Sequence, residues 1–349
     1  MIDPYKKVDN TKAVNLNTVS MPQLFDLLNR TFQSNSEIKS AYELWGNRVM
    51  ALYRSDPFKA HEGGFKTITE KDTSTYGNEQ AEGSNPVLVK YGIGRTMTFT
   101  YTDYGNAYTA TERALRDNKY PEIFREWIDL PKKLLERRNL DGVHRWTFAN
   151  AASYTNMDST VKDNTCIDGL APVSAVHSLP HSAATWSNVV SGNPVFSKSG
   201  LLAAELLFKT NIKDGFGVQK RMIPDTIVST DDPTTCYNIR QITGSTADVS
   251  SDNSTGNPAM MNALNKYKHI ILPLLDSDSS GNVDATKSRI WFLGRFGSDG
   301  VDARYCEAVS IGYRMPKKDE LNGNITQAVQ GSWEFRIVSP RGFVASFAP

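Results

Sequence analysis

The stretch "RTMTFTYTDYG", Arg95 to Gly105, alternates with a period of two. Met97, Phe99 and Tyr101 fall on one face and Thr96, Thr98, Thr100 and Thr102 on the other, as in a half-buried strand. "FKTITE" (Phe65–Glu70) alternates in the same way. Between them lie a polar, glycine-bearing run, "KDTSTYGNEQAEGSNP" (Lys71–Pro86), and "VLVKYGIG", where β character resumes. Two strands around a long polar middle predict a protruding hairpin. An arm of this kind seldom has a core of its own and needs a partner surface.

Downstream the texture turns helical and charged, from Ala107 to Ser153: "AYTATERALRDNKYPEIFREWIDLPKKLLERRNLDGVHRWTFANAAS". Pro121 suits a helix N-terminus, whereas Pro131 should kink or restart the helix. The helix resuming near Leu134 is expected to run through Trp146 and Phe148 towards Ala152. Glu122, Arg125, Glu126, Lys132, Lys133, Glu136, Arg137 and Arg138 predict a solvated or ion-paired face. "KKLLERR" is interleaved with glutamate, which favours a solvated or inter-subunit face over nucleic-acid readout.

Upstream, residues 1–18 read as an extended arm. Ser20 caps a first helix with Pro22 in its first turn and Leu24, Phe25, Leu27, Leu28 and Phe32 on its apolar side. A second helix is expected from Ser36, with Ile38, Tyr42, Trp45, Val49 and Leu52, and "SDPF" (Ser55–Phe58) ends it. In the second half, "SKSGLLAAELLFKTN" predicts a helix with Leu201, Leu202, Leu206 and Phe208. "RMIPDTIVST", "YKHIILPLLD" and "SRIWFLGRF" predict buried strands, and "ARYCEAVSIGYRMP" and "GSWEFRIVSPRGFVASFAP" further strands.

The 349 residues suffice for two or three domain-sized units, and 39% hydrophobic with 22% charged residues is ordinary for a globular chain. A net charge of +1 argues against electrostatic capture of nucleic acid. Cys166, Cys236 and Cys306 are far apart and odd in number, which predicts reduced thiols rather than a disulfide framework or zinc ribbon. No apolar run approaches the roughly 18 residues of a spanning helix. The N-terminus lacks an apolar signal core, so a soluble, unsecreted protein is expected.

Three stretches invite chemical readings. "VHSLPHS" (Val176–Ser182) places His177 and His181 beside Ser178 and Ser182. Pro180 breaks the helix that a zinc pair would need, no third ligand stands near, and no G-x-S-x-G elbow accompanies the serines. In "DSDSSGNVDATK" (Asp276–Lys287), Asp276, Asp278 and Asp284 are the candidate calcium ligands, at positions 1, 3 and 9 of a calcium hand. Lys287 stands where a bidentate glutamate belongs, and the flanks read as strands, so a polar hairpin loop is expected. "YGIGRT" (Tyr91–Thr96) has only G-x-G within a strand, too little for a phosphate loop. No catalytic residues, no enzyme and no cofactor are expected.

The order of elements is arm, short helices, long hairpin, long charged helix, then a mixed body closing on strands. This order resembles the major capsid protein of tailed bacteriophages, the Hong Kong 97-type fold. The residues that carry the resemblance are "RTMTFTYTDYG" leading into "LERRNLDGVHRWTFANAA", and "DGLAPVSAVHSLPHS" followed by "SKSGLLAAELLF". The strands "RMIPDTIVST", "KHIILPLLDS" and "RIWFLGR" and the closing "SWEFRIVSPRGFVASFAP" extend it over most of the chain. The resemblance implies an α+β chain in five parts. These are an N-terminal arm with short helices (1–57), an extended loop (58–106), a peripheral domain with a spine helix (107–160), an axial domain (161–327) and C-terminal strands returning to the peripheral domain (328–349).

It further implies a structural head protein that self-assembles into hexamers and pentamers of an icosahedral shell around double-stranded DNA. Its place would be the virion, with assembly in the host cytoplasm. Partners would be copies of itself, with portal, scaffolding or decoration proteins, and packaged DNA through non-specific contacts; no membrane is implied. Some members crosslink an extended-loop lysine to an asparagine; Lys90 stands in that loop, and nothing else in the sequence supports the reaction. About 20 residues precede the first helix, too few for the cleaved scaffolding domain of some members. The rival readings are another phage part (minor head, decoration or tail protein), or a calcium-dependent binding module or hydrolase centred on Asp276–Asp284 or on His177 and His181.

Overall fold

The computed structural model describes residues 20–35, 46–58, 64–73, 79–80, 82–85, 91–117, 119–220, 222–244, 266–296 and 300–347. The expected arm of residues 1–18, most of the helix expected from Ser36, and Lys90 lie outside the described residues. Helices are α1 (Met21–Ser34), α2 (Asn47–Met50), α3 (Glu112–Arg116), α4 (Tyr120–Thr147), α5 (Lys198–Thr210) and α6 (Pro233–Gly244). Strands in the first half are β1 (Arg54–Ser55), β2 (Phe65–Thr73), β3 (Tyr91–Thr100), β4 (Thr102–Ala110), β5 (Ser153–Thr155), β6 (Val161–Asp163), β7 (His177–Ser178) and β8 (Thr185–Trp186). The second half adds β9 (Thr226–Ser229), β10 (Lys268–Ile271), β11 (Trp291–Gly294), β12 (Ala303–Tyr313), β13 (Lys317–Lys318), β14 (Ile325–Ile337) and β15 (Phe343–Ser346). The chain is α+β.

Helix α1 starts as the sequence dictates. Ser20 precedes it in an extended conformation, and its N–H donates to Gln23 Oε1 at 3.1 Å, one arm of a capping box. Leu24 and Leu28 are buried, while Leu27 turns outward.

The long helix α4 does not break at Pro131; it runs 28 residues without interruption. A proline cannot donate to the carbonyl four residues back, which here belongs to Trp127. That carbonyl accepts instead from Tyr313 Oη at 3.0 Å, on the neighbouring strand β12. Its charged face is mostly solvated or ion-paired, as expected, with Arg138 the exception in being buried. Glu122, Arg125, Glu126, Lys133 and Glu136 are exposed, but Arg138 is buried beneath the sheet and Arg137 is largely covered. Arg137 donates to Asp141 at 3.0 Å and doubly to Asp158, at 2.6 and 3.0 Å.

One sheet has the order β1-β12-β14, with β4 and β13 also paired to β14. The other has the order β10-β9-β11-β15, parallel between β10 and β9 and antiparallel elsewhere. β9, β11 and β15 are buried on both faces, which explains their apolar runs, whereas the edge strand β10 is only partly covered. Val228, Phe292, Phe343 and Ala345 face a core built around Trp146, α1 and α4. Ile227, Trp291, Leu293 and Val344 face a second core with Leu201, Ala204 and Phe208 of α5. Leu202 and Leu206 of that helix point outward.

The closing strands do not both return to the sheet over α4. β14 lies there, but β15 pairs antiparallel with β11 in the other sheet, because its alternating side chains fill both cores. β10 and β11 flank β9, so the segment between them crosses the sheet. Within it the expected polar hairpin loop closes, with Ser277 and Val283 bridged antiparallel and the Asp284 N–H donating to the Asp276 carbonyl at 2.7 Å.

Candidate functional site

The hairpin β2–β3 pairs strand to strand only with itself among the described residues. Its register runs from Phe65↔Thr100 to Thr73↔Tyr91 with one shift between Thr69 and Lys71. At its base, Ile68, Met97 and Phe99 form a small cluster with Cys306 and Val338, against which Phe58 and Ile167 pack. The alternation read from the sequence thus buries its apolar face on the molecule's own body, over the first half of the hairpin.

Three polar anchors fix this root. Lys66 of β2 is buried and its ammonium donates to Asp56 Oδ1 at 2.7 Å. The other oxygen of Asp56 accepts from Arg304 of β12, also at 2.7 Å. Partial burial pushes the Asp56 carboxyl up, but the hydrogen bonds from Lys66 and Arg304 outweigh it and hold the group below the ordinary range. Glu70 pairs with Arg341 at 2.6 Å. Arg95 of β3 donates to the carbonyl and to the hydroxyl of Ser178, both at 3.1 Å.

Ser178 belongs to "VHSLPHS", so the loop that carries the histidines is the seat of the hairpin. His181 stacks on Phe216 with ring centroids 4.5 Å apart. Strand β3 passes directly over this pair. A Cβ on Gly92 would lie 2.4 Å from His181 Nε2 and 2.7 Å from Phe216 Cζ. A Cβ on Gly94 would lie 2.9 Å from Glu70 Cβ. The two glycines of "YGIGRT" are therefore explained by close approach of backbone to side chains.

His177 is fully buried and tilted against Trp186, 4.7 Å between centroids. Its Nδ1 lies 2.6 Å from Asp168 Oδ2 and its Nε2 3.1 Å from Asn188 Oδ1. Asn188 is oriented by donating to the carbonyls of Pro172 (2.8 Å) and Pro340 (3.3 Å), while its oxygen accepts from the Ser174 N–H. Both ring nitrogens thus face acceptor oxygens and neither is aimed at a serine. Ser178 Oγ faces a guanidinium and Ser182 Oγ accepts from the Ala184 N–H. The geometry holds a loop in place and activates no nucleophile. The cavity beside it, lined by Glu70, Arg95, Asp168, Ser178, Trp186 and Arg341, has a volume of about 10 Å³, room for about one water.

The acidic loop is spent on its own folding. Asp278 Oδ1 accepts from the N–H groups of Ser280 (2.8 Å) and Asn282 (2.9 Å). Asp284 Oδ1 accepts from the Thr286 N–H at 3.0 Å, and its Oδ2 lies 3.3 Å from Lys287 Nζ. Lys287 also donates to the Ser277 carbonyl at 3.0 Å, so an ammonium occupies the middle of the loop. Asp276 is buried, and burial, with Asp231 and Asp232 near, pushes its carboxyl up. Among the described residues, no three of His, Cys, Asp and Glu converge as a metal group. The three cysteines are free thiols, and burial pushes that of Cys306 up to about 12.

The residues that seat the hairpin, namely Asp56, Lys66, Arg95, Asp168, Asn188, Arg304 and Arg341, carry no local signal. Many of their partners lie far away in sequence, as with Arg304 and Asp56, 248 residues apart.

No protein-family model and no curated protein matches the chain. Among solved structures it is similar to a chain from Gordonia phage Cozz, with 12% identity, a TM-score of 0.46 and coverage of 85% of this chain and 84% of that one. It is similar to the capsid of Ralstonia phage GP4 at 11% identity and a TM-score of 0.46, over 85% and 87% of the two chains. The same holds for the holo-SrpI encapsulin complex of Synechococcus elongatus, at 11% identity, a TM-score of 0.46 and 86% of both chains. No helix among the described residues is long and apolar enough to cross a membrane.

Proposed function

We propose that this chain is a structural shell subunit, the major capsid protein of a tailed phage with the Hong Kong 97-type fold, and that it works through contacts between copies and not by catalysis. The observation that carries the reading is the hairpin. It is rooted at one end by apolar packing and ion pairs, and it presents apolar side chains with no cover of their own. Phe65 is 49% exposed and Ile93 is 74% exposed. Ordering such an arm costs conformational entropy that burial on a neighbouring subunit offsets. Hexamers and pentamers enclosing double-stranded DNA are the assembly that the sequence resemblance implies. A net charge of +1 suits a shell that holds DNA without gripping it. In this reading residues 58–106 form the extended loop, 107–160 the peripheral domain and 161–327 the axial domain. Asp276, Asp278 and Asp284 are then loop-forming residues with no cofactor.

Electron microscopy and size-exclusion chromatography of the expressed full chain test the reading. Closed shells or capsomer rings are expected. A stable monomer at all concentrations overturns it, and open tubes or discs would instead favour another phage structural part.

A further inference from the structure

Strand β4 is the long edge of the sheet over α4. It pairs with β14 over nine consecutive residues without a register shift, from Thr102↔Trp333 to Ala110↔Ile325, and with no other strand among the described residues. The alternation of the ladder tells which backbone groups are free. The Ala328 carbonyl accepts from the Arg314 N–H on the β12 side, so Gln327, Val329, Gly331 and Trp333 direct their backbone groups towards β4. Their partners Thr102, Tyr104, Asn106 and Tyr108 are consumed in that pairing. The N–H and C=O groups of Asp103, Gly105, Ala107 and Thr109 therefore line the outer edge. All four residues are exposed.

Folded proteins guard such edges with short strands, lysine, proline or bulges. Elsewhere this sheet does so: β1 and β13 are two residues each, Arg54–Ser55 and Lys317–Lys318. β4 has none of these devices. Its sequence, TDYGNAYTA, holds no lysine, arginine or proline, and its one charge, Asp103, is hydrogen-bonded to Ser332 Oγ.

We propose that β4 pairs antiparallel with β4 of a second copy, about a two-fold axis through Asn106. The mid-strand dyad maximises pairing. It sets Gly105 opposite Ala107 and Asp103 opposite Thr109 of the other copy, which with their symmetry mates form about eight backbone hydrogen bonds. The charges agree with this register. Tyr104 lies opposite Tyr108, an aromatic cross-strand pair, and no two like charges face each other. Thr102, whose hydroxyl accepts from Lys162 Nζ at 2.9 Å, lies opposite Ala110, two residues from the exposed Glu112. A cation at one end of each strand thus meets an acid at the other end of its mate. The proposal rests on the reading that this chain associates with itself, and it names the contact.

The dyad places Asn106 against Asn106 in a close, non-hydrogen-bonded pair, and this supplies the test. Asn106 is exposed and its backbone bonds to Val329 do not depend on its side chain. Asn106→Lys and Asn106→Glu should each fold, with the parent's far-ultraviolet circular dichroism and a cooperative melt. Each alone should lose association, as sedimentation velocity and electron microscopy of the full chain would read, and a one-to-one mixture should regain it. Wild-type association in either single variant overturns the dyad. Loss in both without recovery on mixing also overturns it and means that the edge takes a different strand. Shells that ignore both substitutions leave the shell reading standing without this contact. A discrete dimer, lost and regained as described, upholds the contact and ends the shell reading.

Discussion

Tyr313 shows how one hydroxyl lets a helix tolerate a proline. It satisfies the Trp127 carbonyl that Pro131 orphans inside a buried stretch of α4. Tyr313→Phe should cost about 1–3 kcal/mol in chemical denaturation, the penalty of an unsatisfied buried carbonyl. In Pro131→Ala the ordinary helical bond returns, so the same tyrosine change should cost clearly less there. Equal costs in both backgrounds would refute the account. Two histidines act in a related way. His144 Nε2 lies 3.2 Å from Ser277 Oγ, which donates to the Leu274 carbonyl. His269 Nε2 lies 2.9 Å from Ser229 Oγ, which donates to the Thr230 carbonyl. Each serine must therefore accept from a ring N–H. Burial lowers both rings to about 4, aided for His269 by Arg240. Unfolded, each binds a proton near the ordinary 6.5, so between those values the unfolded chain holds more protons. Their contribution is complete above about pH 6.5 and is lost as the pH falls through about 4. For the more deeply buried His144 it is at most about 3 kcal/mol. Denaturation midpoints between pH 7.5 and 4.5 should fall less steeply in His144→Gln than in the parent chain.

Among the elements, the hairpin and the buried strands were legible because their periods, two and continuous, are local properties of the sequence. The course of α4 was not. A proline is locally a break, and what overrides it is a tyrosine on a strand far along the chain. Which leucines of α5 meet the core was not legible either, since a helix rich in leucine does not by itself say which side that is. The seat of the hairpin was invisible, because the glycines of "YGIGRT" and the histidines of "VHSLPHS" make sense only against each other. That pairing can be tested. Gly92→Leu should drive β3 off the His181–Phe216 stack, so that trypsin cuts at Arg95 faster while the melting of the body barely moves. His181→Ala removes the clashing imidazole and should restore part of the protection. A Gly92→Leu chain cleaved at the parent rate would show that the close approach does not hold the arm.

For the whole molecule, the arm and the body should separate in experiment. Deleting residues 71–90 removes the far part of the hairpin but none of the root contacts of Lys66, Ile68, Glu70, Arg95 or Phe99. The subunit should fold and melt nearly as before yet build no closed shells; failure to fold would show that the far part serves the monomer. The body itself has no such seam. β9, β11 and β15 send alternate side chains into the Trp146 core and into the α5 core, so neither core can lose its packing without stripping one face of the other's wall. Calorimetry should therefore see a single heat-absorption peak whose van't Hoff and measured enthalpies agree, however many parts the chain is divided into by name.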